Sequence, residues 1–436
     1  MHCTLKHYFM GLVLLACSSL AYAENLYQVY QHALRFDPVL QASEASYLAT
    51  MENKPQALAA LKPQVKLFAS MSAILDHQNT VVSSGTSNFV NGGYTLSVSK
   101  SIYHNELDAQ VNKANAGIAQ AKSSLAVERQ NLIIRVAEAY FSYLKAQDNL
   151  KFTTLEREAI GRQLAQVNAY FEAGRSPITD VKEAQARYDS ATSQQVSANQ
   201  QLDVAKEAIK AITGHYYKHL DDARLNTPLI PPKPNKIEAW TQTALANSQQ
   251  IATLKHAIDV AQSDVDRQRA GKDPTIDLVA KHNGSINRLD IDSDVFGASV
   301  GVQLNMPLYT GGLVDSSIRQ SRHNLHQAQY QLEASKRQVT QQTRSSYLSV
   351  VSGIAQAKAL QQALISTKTA AQATQAGFEV GTRTAVDVLL SLRETFRAQR
   401  DYSIARYDYL LNTLRLKQAT GLLSVQDLQQ INAVLK

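Results

Sequence analysis

Two stretches of this 436-residue chain carry residue types that chemistry could use. In His215-Tyr216-Tyr217-Lys218-His219 two imidazoles stand four apart, the spacing at which one helix face offers both to a zinc ion. Gly214 precedes them and reads as a loop residue, and no third ligand lies at an assured position. Asp290-Ile291-Asp292-Ser293-Asp294 opens like a calcium loop, but Val295 stands where glycine is needed and Gly301 where the bidentate acid belongs. A solvated loop is the simpler reading. No phosphate-binding glycine loop occurs, and no nucleophile, base and orienting acid can be assigned. The expectation is therefore a protein with no catalytic residue, no metal site and no cofactor, and not an enzyme.

Thiol chemistry is absent for a different reason. Cys3 and Cys17 both fall in residues 1–23, where Lys6 opens a polar start, Tyr8 to Ala16 is apolar, and Ala21-Tyr22-Ala23 suits a cleavage site. That segment reads as an export signal, and a competing reading takes Leu14-Leu15-Ala16-Cys17 as a lipoprotein box. Net charge is +7, or +6 without Lys6, spread along the chain with no basic run interleaved with aromatics, so no nucleic-acid partner is expected.

A third pattern is a repeat. AYFEAGRSPITDVKEAQ from Ala169 returns as AGFEVGTRTAVDVLLSL from Ala376, sharing Phe171/Phe378, Gly174/Gly381 and Asp180/Asp387. Each copy reads as a helix closed by a left-handed glycine, a tight tip, and a new helix. In the first copy Ser176 is placed to cap the new helix and Pro177 to take its first position, with Asp180 near the positive end of the dipole. Taken alone, Asp180 and Asp387 are first-turn acids worth about 0.3 to 1 kcal/mol each. Arg175 and Arg383 are then solvated tip charges, and Phe171 and Phe378 pack under the turns.

The elements that hold these tips follow from periodicity. Long helices are expected from about His104 to Glu172 and from about Gly312 to Glu379, the first spanning about 100 Å. Its apolar seam is Leu125, Leu132, Val136, Tyr140, Tyr143 and Leu150. Four segments alternate with period two, at about 64–75, 94–103, 275–286 and 296–309. Their lengths suit tilted strands that cross a bilayer in about 9 to 11 residues. The intervening HQNTVVSSGTSNFVNGG and NRLDIDSDV read as exposed turns. The proline-rich TPLIPPKPNK, 227–236, separates a first half, 24–226, with a tip at about 173–179, from a second, 237–436, with a tip at about 380–386.

No helical stretch after residue 23 has about 18 consecutive apolar residues, so any membrane crossing must be made by strands. Four strands cannot close a barrel, and an open edge in lipid leaves backbone amides unsatisfied at several kcal/mol each. The fold class expected is an α+β membrane protein: a homotrimer with a 12-stranded barrel, continued by a helical coiled-coil tunnel with six hairpin tips at the end far from the membrane. A membrane-anchored adhesive coiled coil is the alternative. Two similar helical halves interrupted by short strand hairpins favour the conduit.

ENLYQVYQHALRFDP, QARYDS, ITGHYY, MPLYTGGLVDSSIRQ, VGTRTAVDVL and ARYDYLLNTLRLKQATG together resemble the TolC family over essentially all of the chain after residue 23. The resemblance implies a homotrimeric channel in the Gram-negative outer membrane that extends into the periplasm. There it would meet a periplasmic adaptor protein and an inner-membrane efflux pump or ABC secretion transporter, exporting small molecules, proteins or both. It also implies a periplasmic gate. Thr179 and Asp180 match residues that help hold the entrance shut, and Arg383 matches the arginine that reaches them from a neighbouring protomer. Phe378 replaces a tyrosine that would bond to Asp180; Asp387 matches the first of two entrance aspartates and Leu390 replaces the second. Gly174, Arg175, Ser176, Pro177, Gly381, Thr382 and Arg383 would form the adaptor-facing tips.

Overall fold

The period-two segments become one antiparallel sheet, and its register decides which side faces what. The structure, a computed structural model, describes residues 24–79, 84–217, 219–222, 228–288, 292–433 and 435. The sheet order is β1 (Gln64–Asn79), β2 (Ser84–Tyr103), β3 (Thr275–Arg288), β4 (Asp292–Asn305). Leu67 pairs with Leu96, Leu96 with His282 and His282 with Ala298; Val65, Val98, Ala280 and Val300 form the next such row. Since directly opposed residues share a face, the apolar sets of β1, β2 and β4 merge into one continuous surface. Its members are exposed, Met71 by 81% and Val300 by 78%, which in water would be an aggregation site and against hydrocarbon is a contact.

Every strand differs from its expected bounds. β1 continues to Asn79, β2 begins at Ser84 rather than near 94, and β3 and β4 extend to Arg288 and from Asp292. The supposed turn segments keep pairing, Asn79 with Ser84 and Arg288 with Asp292, because a ladder constrains the backbone whatever the side chains prefer. β4 ends at Asn305, not 309, just before Pro307, which has no amide for a ladder. Ile102 leaves the alternation at a register shift between Ser101 and Tyr103.

The helices are α1 (Leu26–Phe36), α2 (Pro38–Met51), α3 (Asn53–Ala60), α4 (Asn105–Glu172), α5 (Ile178–Thr213), α6 (Ile237–Asn247), α7 (Gln249–Ala270), α8 (Leu313–Glu379), α9 (Ala385–Ala419) and α10 (Val425–Asn432). α4 and α8 run for 68 and 67 residues, α5 and α9 for 36 and 35, so the order of elements is written twice. No helix is long and apolar enough to cross a membrane among the described residues. Residues 1–23, with the signal segment, Cys3 and Cys17, lie outside the described residues.

Packing divides the chain into two units that cut across the halves. One holds the chain up to Val39, Gln130–Thr241 and Thr343–Lys436; the other holds Leu40–Arg129 and Gln242–Gln342. In the first unit Leu132, Val136, Tyr140 and Tyr143 of the α4 seam are buried, and the rings of Tyr140, Phe141 and Tyr407 follow one another at 5.9 and 6.0 Å. Leu150 is only half-buried. α5 buries Ala184, Ala191, Ala198 and Ala205, and α9 buries Val388, Thr395, Tyr402, Tyr409 and Leu416, each a strict step of seven. That is the seam of a coiled coil. In the second unit Ala244, Ile251 and Val339 form a small core, while Lys113 and Asp264 at 2.7 Å and Arg267 and Glu106 at 3.0 Å tie α4 to α7.

Candidate functional site

Both repeated tips lie in the first unit and close with the same backbone motif. At the end of α4 the Gly174 amide donates to the Phe171 carbonyl at 2.9 Å and the Arg175 amide to the Tyr170 carbonyl at 2.7 Å. At the end of α8 the Gly381 amide donates to Phe378 at 3.1 Å and the Thr382 amide to Gly377 at 2.8 Å. Gly174 and Gly381 hold φ of 68° and 80°, the left-handed value that lets this Schellman closure form without Cβ strain.

The helices that follow start differently. Pro177, expected at the first helical position, is itself the N-cap of α5 and offers no side-chain acceptor. Ser176 is thereby displaced from capping, and its hydroxyl donates to Asp180 Oδ2 at 2.9 Å instead. α9 has a full capping box: Asp387 donates its amide to Thr384 Oγ1 at 3.2 Å, and its Oδ2 accepts from the Thr384 amide at 3.0 Å and hydroxyl at 2.9 Å. These bonds, first from the Thr384 amide and then from its hydroxyl, hold the Asp387 carboxyl below the usual aspartate range, aided by the charge of Arg383.

Between the tips Tyr170 and Phe378 meet with ring centroids 5.8 Å apart, and the Arg175 guanidinium stands 4.8 Å over the Tyr170 ring. Thr179, Thr382, Arg383 and Leu390 are exposed, and Arg383 makes no ion pair within the chain among the described residues. Its stem passes so close to α8 that a Cβ on Gly377 would lie 2.9 Å from Arg383 Cγ. Beneath the tips Ile160, Ala184, Ala191 and Leu389 form a buried cluster with Leu164 and Tyr188 against it. Tyr170 and Gly377, the two contacts that sequence reasoning missed, occupy equivalent places in the repeat, so their dissimilarity was the available signal.

The other candidates dissolve. Gly214, at φ 70°, ends α5, so His215 and His219 share no helix face, and the His215 ring packs edge-on to His32 at 5.5 Å. Asp292 and Asp294 belong to β4 and Asp290 lies outside the described residues. Among the described residues no group of three or more His, Cys, Asp or Glu is placed to hold a metal ion.

The family model for outer membrane efflux proteins matches residues 29–215 and 240–422, both halves of the chain. The chain belongs to this family. It is 36% identical over 435 residues to Outer membrane protein TolC of Vibrio cholerae serotype O1, covering 98% of each. To Alkaline protease secretion protein AprF of Pseudomonas aeruginosa it is 29% identical over 446 residues, covering 98% of this chain and 91% of the relative. The crystal structure of CusC matches with a TM-score of 0.79 at 17% identity, over 91% of this chain and 92% of that one. Outer membrane efflux proteins of this fold are trimeric channels, a barrel continued by a helical tunnel, and they work with efflux or secretion partners. As a member, the chain is an outer-membrane efflux channel protein, not an enzyme.

Proposed function

We propose that three copies of this chain close a twelve-stranded barrel and export small molecules, proteins or both through a helical tunnel. The observation that carries the reading is the four-stranded sheet with one continuous apolar face, in which β1 and β4 each have a neighbour on one side only. An exposed edge in lipid is untenable, and edge-to-edge pairing of three sheets removes all six edges. Thr179, Asp180, Phe378, Arg383, Asp387 and Leu390 form the periplasmic gate, Arg383 reaching Asp180 of the next protomer. Gly174, Arg175, Ser176, Pro177, Gly381, Thr382 and Arg383 meet a periplasmic adaptor that joins an inner-membrane efflux pump or ABC secretion transporter. The protease-secretion name of one relative supports protein export as well as efflux. The detergent-extracted protein should have the mass of three chains by light scattering and conduct in a planar bilayer. A folded, non-conducting monomer overturns the reading.

A further inference from the structure

The polar side of the sheet carries its lysines in one aligned row. Lys66 pairs with Ser97, Ser97 with Lys281, and Lys281 with Ser299, so the four share the face opposite the apolar surface. The rows flanking it are uncharged: Gln64, Ser99, Val279, Gly301 on one side and Phe68, Thr95, Asn283, Gly297 on the other. Asp277, the nearest acid on that face, lies four residues along β3 from Lys281, about 13 Å away. Neither lysine makes an ion pair among the described residues, and both are exposed.

We infer that this row is an anion-attracting collar lining the barrel lumen, an inference that rests on the trimeric conduit proposed above. Three copies give six ammonium groups with serine hydroxyls on the strands between them, a belt made only of groups that can donate hydrogen bonds. Rings of lysine of this kind favour anionic solutes, and walls of low dielectric focus their field into the pore. Its ligands are phosphate, sulfonate or carboxylate groups of passing solutes. The reach of the collar follows from geometry. Twelve strands about 4.8 Å apart and tilted about 40° enclose a lumen roughly 24 Å across between backbones. The axis is thus roughly 12 Å from the backbones and nearer to ammonium groups carried inward on four-carbon stems, within the Debye length of about 10 Å at 0.1 M salt and well inside the length of about 30 Å at 0.01 M. The field of the collar therefore reaches the axis at ordinary salt and strengthens as salt falls.

A cysteine at position 97 reads the local potential without depending on how far the periplasmic gate is open. In trimers carrying Ser97→Cys, an anionic sulfonatoethyl methanethiosulfonate should react several-fold faster than its trimethylammonium counterpart, with the ratio growing as salt falls. The protein without Ser97→Cys sets the background. Lys66→Gln with Lys281→Gln should abolish the preference, and Lys66→Arg with Lys281→Arg should keep it, separating charge from folding. Equal rates for the two reagents, a preference that survives the glutamines, or a thiol that neither reagent reaches would overturn the collar while leaving a conducting trimer intact. Loss of the trimer itself would instead overturn the conduit and the collar with it.

Discussion

The Tyr170 ring sits 5.8 Å from the Phe378 ring at a tilt of 32°, joining the first hairpin tip to the second within one chain. An aromatic pair of this kind contributes about 0.5 to 1.5 kcal/mol beyond its burial. Phe378 has no hydroxyl to offer Asp180, so the ring contact is what this position supplies. Phe378→Ala should raise the open fraction of single channels by roughly twofold to tenfold, since about 1.4 kcal/mol is tenfold in population. Phe378→Tyr should keep the ring, restore a donor and lower the open fraction. An unaltered open fraction in Phe378→Ala removes the contact from the gate.

Arg383 gives a test that separates gating from stability. Arg383→Ser should raise conductance and make cells leak large antibiotics. Gly377→Ala places a methyl group where Arg383 Cγ now passes and should mimic it, even though alanine favours a helix by about 1 kcal/mol over glycine. Higher conductance with an unchanged or raised melting temperature is the expected signature; parental conductance in both variants would show that Arg383 does not hold the gate.

Asp387 should remain charged in unusually acid conditions. A carboxyl whose folded pKa is depressed contributes stability above its unfolded value and loses it only as pH falls through the depressed one. Block of the channel by trivalent cations from the periplasmic side should therefore persist below about pH 4, the ordinary aspartate value. Asp387→Ala should remove most of it, because Leu390 offers no second acid. Thr384→Val, by deleting the hydroxyl donor, should shift the pH at which block fades upward.

Asp148 has the opposite sign. It is 6% exposed; Ser403 and Tyr407 both donate to its Oδ2, and the Tyr407 hydroxyl also lies 2.5 Å from Asp222 Oδ1. One phenolic proton cannot serve two carboxylates at once. Burial pushes the Asp148 carboxyl up; the bonds from Ser403 and Tyr407 and the charge of Arg406 pull it down, and the charge of Asp222 adds to the rise. A raised pKa means that the folded state binds the proton more tightly, so its stabilisation is full below the unfolded value and is lost as pH rises through the folded one. Asp148→Asn should leave thermal stability unchanged or higher at pH 7.5, and its advantage over the parent should shrink as pH falls toward about 4. A pH-independent difference between the two would assign the effect to packing alone.

Much of this was legible from periodicity because burial has a period. The α4 seam, the long-helix ends and the apolar sides of three strands were readable for that reason. The third strand was faint because its outward side includes His282 and Gly284, and only pairing with Leu96 and Phe296 identifies that side. The alanine seam of α5 gave no hydrophobic peak, since small residues act by letting helices approach rather than by burying area. At the tips the glycines were readable from their backbone requirement. The partners of Ser176, Phe378 and Asp387 were not, because a helix cap moves by one residue when a proline takes the position, and rings from distant segments meet only in space.

The single alignment of the sheet also gives it a means of proofreading. A slip of one residue between β2 and β3 would turn Lys281 outward and His282 inward, and a slip between β1 and β2 would do the same to Lys66. A lysine forced toward the middle of the hydrocarbon costs about 2 to 4 kcal/mol. Repeated in every subunit, that penalty falls on misaligned assemblies, whereas in the correct register Lys100, opposite Leu278 near the end of β2, is the lysine on the apolar side. The bilayer that the barrel must enter therefore selects its register, and the lysines that face solutes in the finished pore serve beforehand as error signals during insertion.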